Sequence, residues 1–110
     1  KHFRQFILCF HFTLVKYLEA RFENVIITSG YRSPEHNAKV GGVSDSQHCL
    51  GKAIDVHIPN VHPIKVAAFV MEKLPSVHGI GLDIFKNYCH FDFRDSELVV
   101  WIYNREGKVI

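Results

Sequence analysis

The sequence has little of what marks a disulfide scaffold, a nucleic-acid-binding protein or a membrane span. Only three cysteines occur among 110 residues, none in a C-x-x-C pair, so no complete disulfide framework is expected. The formal charge is +2 and the basic residues are scattered, which gives nucleic-acid binding little electrostatic support. The longest nearly apolar run, residues 6–15, is too short to cross a bilayer and is interpreted as part of a buried helix. We therefore expect neither a nucleic-acid nor a membrane partner.

The composition favours a packed core. Apolar residues make up 47% of the chain and aromatic residues 13%, and this length suits one domain over residues 1–110. Hydrophobic periodicity and capping signals predict helices over residues 3–22, 33–40 and 63–74. Alternating and β-branched runs predict strands over residues 25–28, 53–58, 79–84, 88–94 and 98–103. The last three strands are interpreted as an antiparallel meander, which predicts an α+β domain with a small antiparallel sheet packed against helices.

Two histidines and an aspartate stand out as candidate metal ligands. His48 and Asp55 lie seven residues apart around Gly51, and His90 belongs to a later, otherwise apolar strand where an unpaired polar group would be costly. Three protein ligands with an open fourth position are typical of a catalytic zinc ion. Each residue also has a structural alternative, a hydrogen-bonded core histidine or an exposed strand carboxylate, and a protein of that kind would bind no metal.

Cys49 and Cys89 each stand beside a candidate ligand. They could be thiolate ligands, could bridge each other, or could be small buried hydrophobic residues, and the last alternative is favoured by the general burial of free cysteine. Neighbouring side chains on a strand point to opposite faces, so Cys89 should point away from a metal that His90 faces.

Several short motifs carry a family resemblance. In chain order they are Ser29-Gly30-Tyr31-Arg32-Ser33, His36-Asn37, Val40-Gly41-Gly42, Ser46-x-His48-x-x-Gly51-x-Ala53-x-Asp55, Gly79-Ile80-Gly81 and His90-x-Asp92. Together they resemble the zinc D-alanyl-D-alanine carboxypeptidases, bacterial and phage cell-wall peptidases that share their fold with Hedgehog signalling domains. The likeness covers residues 25 to 103 and is nearest to the small, often phage-encoded branch in which Trp101-x-Tyr103 follows the H-x-D strand.

The resemblance implies a zinc ion held by His48, Asp55 and His90, and metal-assisted hydrolysis of peptidoglycan stem peptides. It also implies that Arg32 faces the substrate, either stabilising the oxyanion or pairing with a peptide carboxylate, and that Ser46 hydrogen-bonds within the site. Carboxypeptidase and endopeptidase action both stay open. Such a substrate would place the protein in the periplasm or at the cell wall, and we expect a monomer.

The proton acceptor is where the sequence departs from the family pattern. Asn87 stands three residues before His90, where many members carry an acid, and an amide is no useful base. Asp92 is the preferred candidate for the catalytic base, and Asp83 is a weaker one. Asp92 could equally orient a ligand histidine or pair with Arg94 or Lys86.

Two further expectations follow from the same positions. His57 shares a strand face with Asp55 and is a candidate for lining the cleft. The missing acid at position 87 supports an alternative function, a Hedgehog-like zinc-binding module without catalytic turnover.

Overall fold

The computed structural model describes residues 2–29 and 53–110, and these form two helices and one five-stranded sheet. Helix α1 spans His2–Arg21 and helix α2 spans Pro63–Lys73. The strands are β1 (Ile26–Ser29), β2 (Ala53–His57), β3 (Gly79–Asp83), β4 (Tyr88–Asp92) and β5 (Val99–Ile102). These bounds agree with the predicted ones to within two residues at each end. The helix predicted over residues 33–40 lies outside the described residues.

Both helices follow from local sequence signals. Leu14, Leu18 and Phe22 recur every fourth residue along α1 and the turn after it, and all three are buried. Helix α2 begins at Pro63, the first-turn position that proline favours, and the His62 ring accepts a hydrogen bond from the Ile64 N–H at 3.1 Å.

Among the described residues, neither helix is long and apolar enough to cross a membrane.

The sheet is mixed, with the strand order β1-β2-β4-β3-β5. The β3–β4 hairpin is antiparallel as predicted, but β5 pairs with β3 and runs parallel to it. The predicted purely antiparallel meander is therefore wrong. Strand β2 occupies the other edge of β4, so the chain leaving β4 must pass the end of the hairpin to reach the free edge of β3. Because the end of β4 lies beside the start of β3, β5 then runs in the direction of β3.

The two faces of the sheet differ in chemistry. One face carries apolar side chains that form the core with α1 and α2, among them Ile54, Ile80 and Phe91, which lie in one row across β2, β3 and β4. Because side chains alternate along a strand, the residues between them point to the opposite face. That second face, here called the polar face, carries Asp55, His90 and Asp92. The fold thus places Asp55, His90 and Asp92 on one side of the sheet.

Candidate metal centre

Asp55 and His90 face each other across adjacent strands. They are direct partners in the antiparallel pairing of β2 with β4, and Asp55 Oδ1 lies 3.0 Å from His90 Nδ1. Both side chains are mostly buried, with exposed fractions of 19% and 11%. Two of the three predicted metal ligands are therefore in direct contact, with the Asp55 oxygen facing the His90 nitrogen.

Asp92 holds the other nitrogen of the same imidazole. Its Oδ2 lies 2.6 Å from His90 Nε2, since residues two apart on a strand share a face. The Asp92 carboxylate is completely buried. It also accepts from Arg94, with Nε donating to Oδ1 at 2.8 Å and Nη2 donating to Oδ2 at 2.6 Å. Both carboxylate oxygens are thus occupied.

The charges in this cluster stabilise one another. Burial alone would raise the pKa of Asp92, but hydrogen bonds from Arg94 and His90 outweigh it and hold the pKa well below its usual range. Burial alone would lower the pKa of His90, yet its bonds to Asp55 and Asp92 raise it. Because an ionised carboxylate only accepts, His90 Nε2–H donates to Asp92. Nδ1 is then the nitrogen that faces Asp55.

Two glycines on β3 make room for this arrangement. Gly79 is the cross-strand partner of Asp92, and a Cβ atom at position 79 would overlap the Asp92 carboxylate. Gly81 is the partner of both His90 and Trp101, and a Cβ atom there would lie 2.6 Å from Trp101 Nε1. In the sequence, Gly79-Ile80-Gly81 is one motif of the family resemblance and has no assigned role. In the structure its two glycines leave space for the Asp92 and Trp101 side chains, and this role depends on the strand register.

Aromatic rings lie beside the imidazole on the polar face. The Trp101 ring is 5.3 Å from the His90 ring, and Tyr103 packs edge-on against Trp101 at 6.3 Å. Tyr88 stacks on Tyr103 at 5.9 Å. The sequence alone does not place these rings against His90. The spacing of Trp101 in β5 and Tyr103 directly after it, two residues apart, is the signal that indicates a shared face.

Asn87 directs its side chain away from the cluster. It adopts a left-handed backbone conformation, with φ of 56°, in the turn between β3 and β4. Its Nδ2 donates to the Ile58 carbonyl at 3.3 Å, and its own carbonyl accepts from His57 Nδ1 at 2.6 Å. His57, predicted to line the cleft, is therefore bound to this turn.

Asp83, the weaker candidate for the base, is buried at the start of the same turn. Its Oδ1 accepts from the backbone N–H groups of Phe85 and Lys86 at 3.0 and 2.9 Å. Its Oδ2 has no hydrogen-bond partner among the described residues. The contacts of Asp83 are those of a turn-forming aspartate.

Cys89 lies on the opposite face from His90, as predicted. It is a buried free thiol whose Sγ donates to the Pro63 carbonyl at 3.2 Å. Burial raises its pKa to about 12. The thiol therefore belongs to the apolar core. Cys49 lies outside the described residues.

The Asp55–His90 pair fits a zinc ion. Two ligand atoms of one tetrahedral zinc lie about 3.3 Å apart, because Zn–N and Zn–O bonds are about 2.0–2.1 Å. The 3.0 Å between Asp55 Oδ1 and His90 Nδ1 is close to that separation. The described residues alone contain no group of three or more His, Cys, Asp or Glu side chains that could hold a metal ion. His48, the third predicted ligand, lies outside the described residues, as do Arg32 and Ser46.

Comparison with known proteins gives one family. The family model described as Peptidase M15 matches residues 7–92, a range that contains Asp55, His90 and Asp92. Among curated protein sequences, none matches the chain.

Proposed function

Because the chain belongs to the Peptidase M15 family, we propose that it is a zinc-dependent peptidase that hydrolyses amide bonds in peptidoglycan stem peptides. Membership of this family supports a metallopeptidase, and its peptidases are generally zinc-dependent. The structural observation that carries the proposal is the contact between Asp55 Oδ1 and His90 Nδ1, which brings two of the three proposed zinc ligands together. The substrate follows from the resemblance of the motifs to D-alanyl-D-alanine carboxypeptidases.

In this proposal His48, Asp55 and His90 hold the zinc ion. When bound, zinc would supply a Lewis acid that polarises the scissile carbonyl and makes water a nucleophile near neutral pH. Arg32 binds the substrate or stabilises negative charge on it, and Ser46 hydrogen-bonds within the site. A guanidinium suits either task of Arg32 because its donors form a rigid fork.

The contacts of Asp92 favour the orienting role over that of the base. A base needs an oxygen directed at the water it deprotonates, whereas Asp92 Oδ1 accepts from Arg94 and Oδ2 accepts from both Arg94 and His90. A carboxylate that accepts from the outer nitrogen of a metal-binding histidine fixes its tautomer and ring orientation. We therefore propose that Asp92 positions His90.

Peptide release from purified peptidoglycan tests the proposed function. The zinc-loaded wild type should release peptides, and a chelator should abolish release. Asp55→Asn should lose both zinc and activity. Glu72→Gln is the matched control, because Glu72 is an exposed carboxylate on α2, which packs on the other face of the sheet. Mass spectrometry of the products separates free D-alanine, the carboxypeptidase product, from cleaved cross-links. No release by zinc-loaded wild type would refute the proposal.

A second candidate function is zinc binding without turnover. It is supported by the amide at position 87 and by the contact of that side chain with Ile58 rather than with His90. Stoichiometric zinc in a protein that releases no peptide would favour this alternative.

A further inference from the structure

Arg94 lies just beyond β4, on the same face as His90 and Asp92. Its backbone is fixed at this point, because the His78 ring Nδ1 donates to the Arg94 carbonyl at 3.2 Å and the Arg94 N–H donates to Asp92 Oδ1 at 3.2 Å. The side chain turns back over the strand, and 29% of it is exposed. Arg94 therefore covers Asp92 at the border between the buried cluster and solvent.

Arg94 contacts two groups that themselves contact the imidazole. Its guanidinium donates to both oxygens of Asp92, and this bidentate geometry fixes the plane of the carboxylate as well as its position. The same guanidinium packs on the Trp101 ring, with Cζ 4.9 Å from the ring centroid. The Trp101 ring in turn lies 5.3 Å from the His90 ring. One side chain thus links the carboxylate and the indole that contact His90.

We propose that Arg94 is a positioning residue for His90, acting through Asp92 and Trp101. This inference rests on the proposed function, since it gives His90 the role of a zinc ligand. Without its bidentate partner the Asp92 carboxylate would no longer be held in one plane and could rotate. It would then no longer accept from Nε2–H in the same orientation. Arg94 prevents this rotation, so the imidazole keeps its orientation, with Nδ1 facing Asp55.

Arginine is required here rather than any cation. Lysine would supply the charge but presents one ammonium group, which cannot donate in parallel to two carboxylate oxygens and pack flat on an indole. Arg94→Lys therefore separates charge from geometry. Arg105 offers a matched control, because it also packs on an aromatic ring, 4.6 Å from the Phe85 centroid, without contacting Asp92.

The first measurement is zinc affinity by competition with a chelator of known affinity. Removing an outer contact of a metal-binding histidine typically weakens metal binding 10–100-fold. We expect Arg94→Ala to weaken zinc binding by about tenfold or more. Arg94→Lys should give an intermediate loss, and Arg105→Ala none. If Arg94→Ala does not fold, Arg94→Lys decides alone, with Arg105→Lys as its control.

The second measurement needs no metal. Proton NMR of protein with ¹⁵N-labelled histidine follows the exchange of His90 Nε2–H with water in the metal-free form. Exchange should be faster in Arg94→Lys and Arg94→Ala than in the wild type and in Arg105→Ala. If Arg94 had a purely structural role, its variants would have a lower melting temperature, but their zinc affinity and their rate of His90 proton exchange would equal those of the wild type. That result would overturn the inference.

The two measurements keep this inference separate from the proposed function. If the wild type binds zinc but releases no peptide, the peptidase proposal is refuted. The zinc affinity and the His90 proton exchange of the Arg94 variants still test the role of Arg94. A wild type that binds no zinc refutes the metal site, and exchange of the His90 proton then decides alone.

Discussion

Gly79 lies directly opposite Asp92 in the β3–β4 pairing, and the Asp92 carboxylate occupies the space that a side chain at position 79 would need. The glycine is required by this close approach, because a side chain at position 79 would displace the carboxylate that contacts His90. A residue with no apparent chemistry thereby takes part in building the candidate metal centre.

Gly79→Ala should therefore weaken zinc binding. The added methyl group displaces the carboxylate that orients His90, and we expect a 10–100-fold loss of zinc affinity, the range typical for such outer contacts. The control is Gly107→Ala, which places alanine at a φ of 80° and should lower the free energy of unfolding by about 1–2 kcal/mol without changing zinc affinity. Equal zinc affinity in Gly79→Ala and the wild type would contradict the prediction.

Local patterns predicted the elements well and their pairing less well. Helix α1 was predictable because its apolar spacing is a property of the segment itself. The parallel pairing of β5 with β3 was not, because it depends on β2 having taken the edge of β4. The sequence of a segment determines whether it forms a strand, whereas its neighbour in the sheet depends on which strand edges are free.

The same distinction applies to the site. The alternation His90-x-Asp92 predicted a shared face, and the two side chains do contact each other. The role of Gly79 and the packing of Arg94 on Trp101 depend on cross-strand register and side-chain direction, which no single segment specifies.

Trp101 should report zinc binding by its fluorescence. It is the only tryptophan in the sequence, and its ring lies 5.3 Å from the His90 ring. Zinc held by His90 and Asp55 would add positive charge close to the indole and so would change its electrostatic environment. We expect the emission intensity to change on zinc addition and to saturate at one equivalent. The emission of Asp55→Asn should not change on zinc addition. A wild type that binds zinc without any change in emission would argue against a site beside Trp101.

Cys89 should be unreactive and dispensable for zinc binding. Its thiol is buried on the apolar face, and burial raises its pKa to about 12, so almost no thiolate forms near neutral pH. Alkylation mapped by mass spectrometry should modify Cys89 only when the protein is unfolded. Cys89→Ala should lower the free energy of unfolding by about 1–2 kcal/mol and leave zinc affinity unchanged. Loss of zinc in this variant, with the fold intact, would support the thiolate-ligand alternative.

Asn87→Asp should not restore an acid to the site, although it places one at the position where many family members carry it. The Asn87 side chain donates to the Ile58 carbonyl, and a carboxylate there would meet the carbonyl oxygen without a proton to donate. We expect the substitution to lower the free energy of unfolding by about 1 kcal/mol, the value of one hydrogen bond, as measured by urea denaturation. Peptide release should not exceed that of the wild type. Asn87→Gly is the control, because glycine accepts the φ of 56° and removes the side chain without adding charge. A tenfold gain in peptide release by Asn87→Asp over both proteins would show that an acid at position 87 reaches the reacting water.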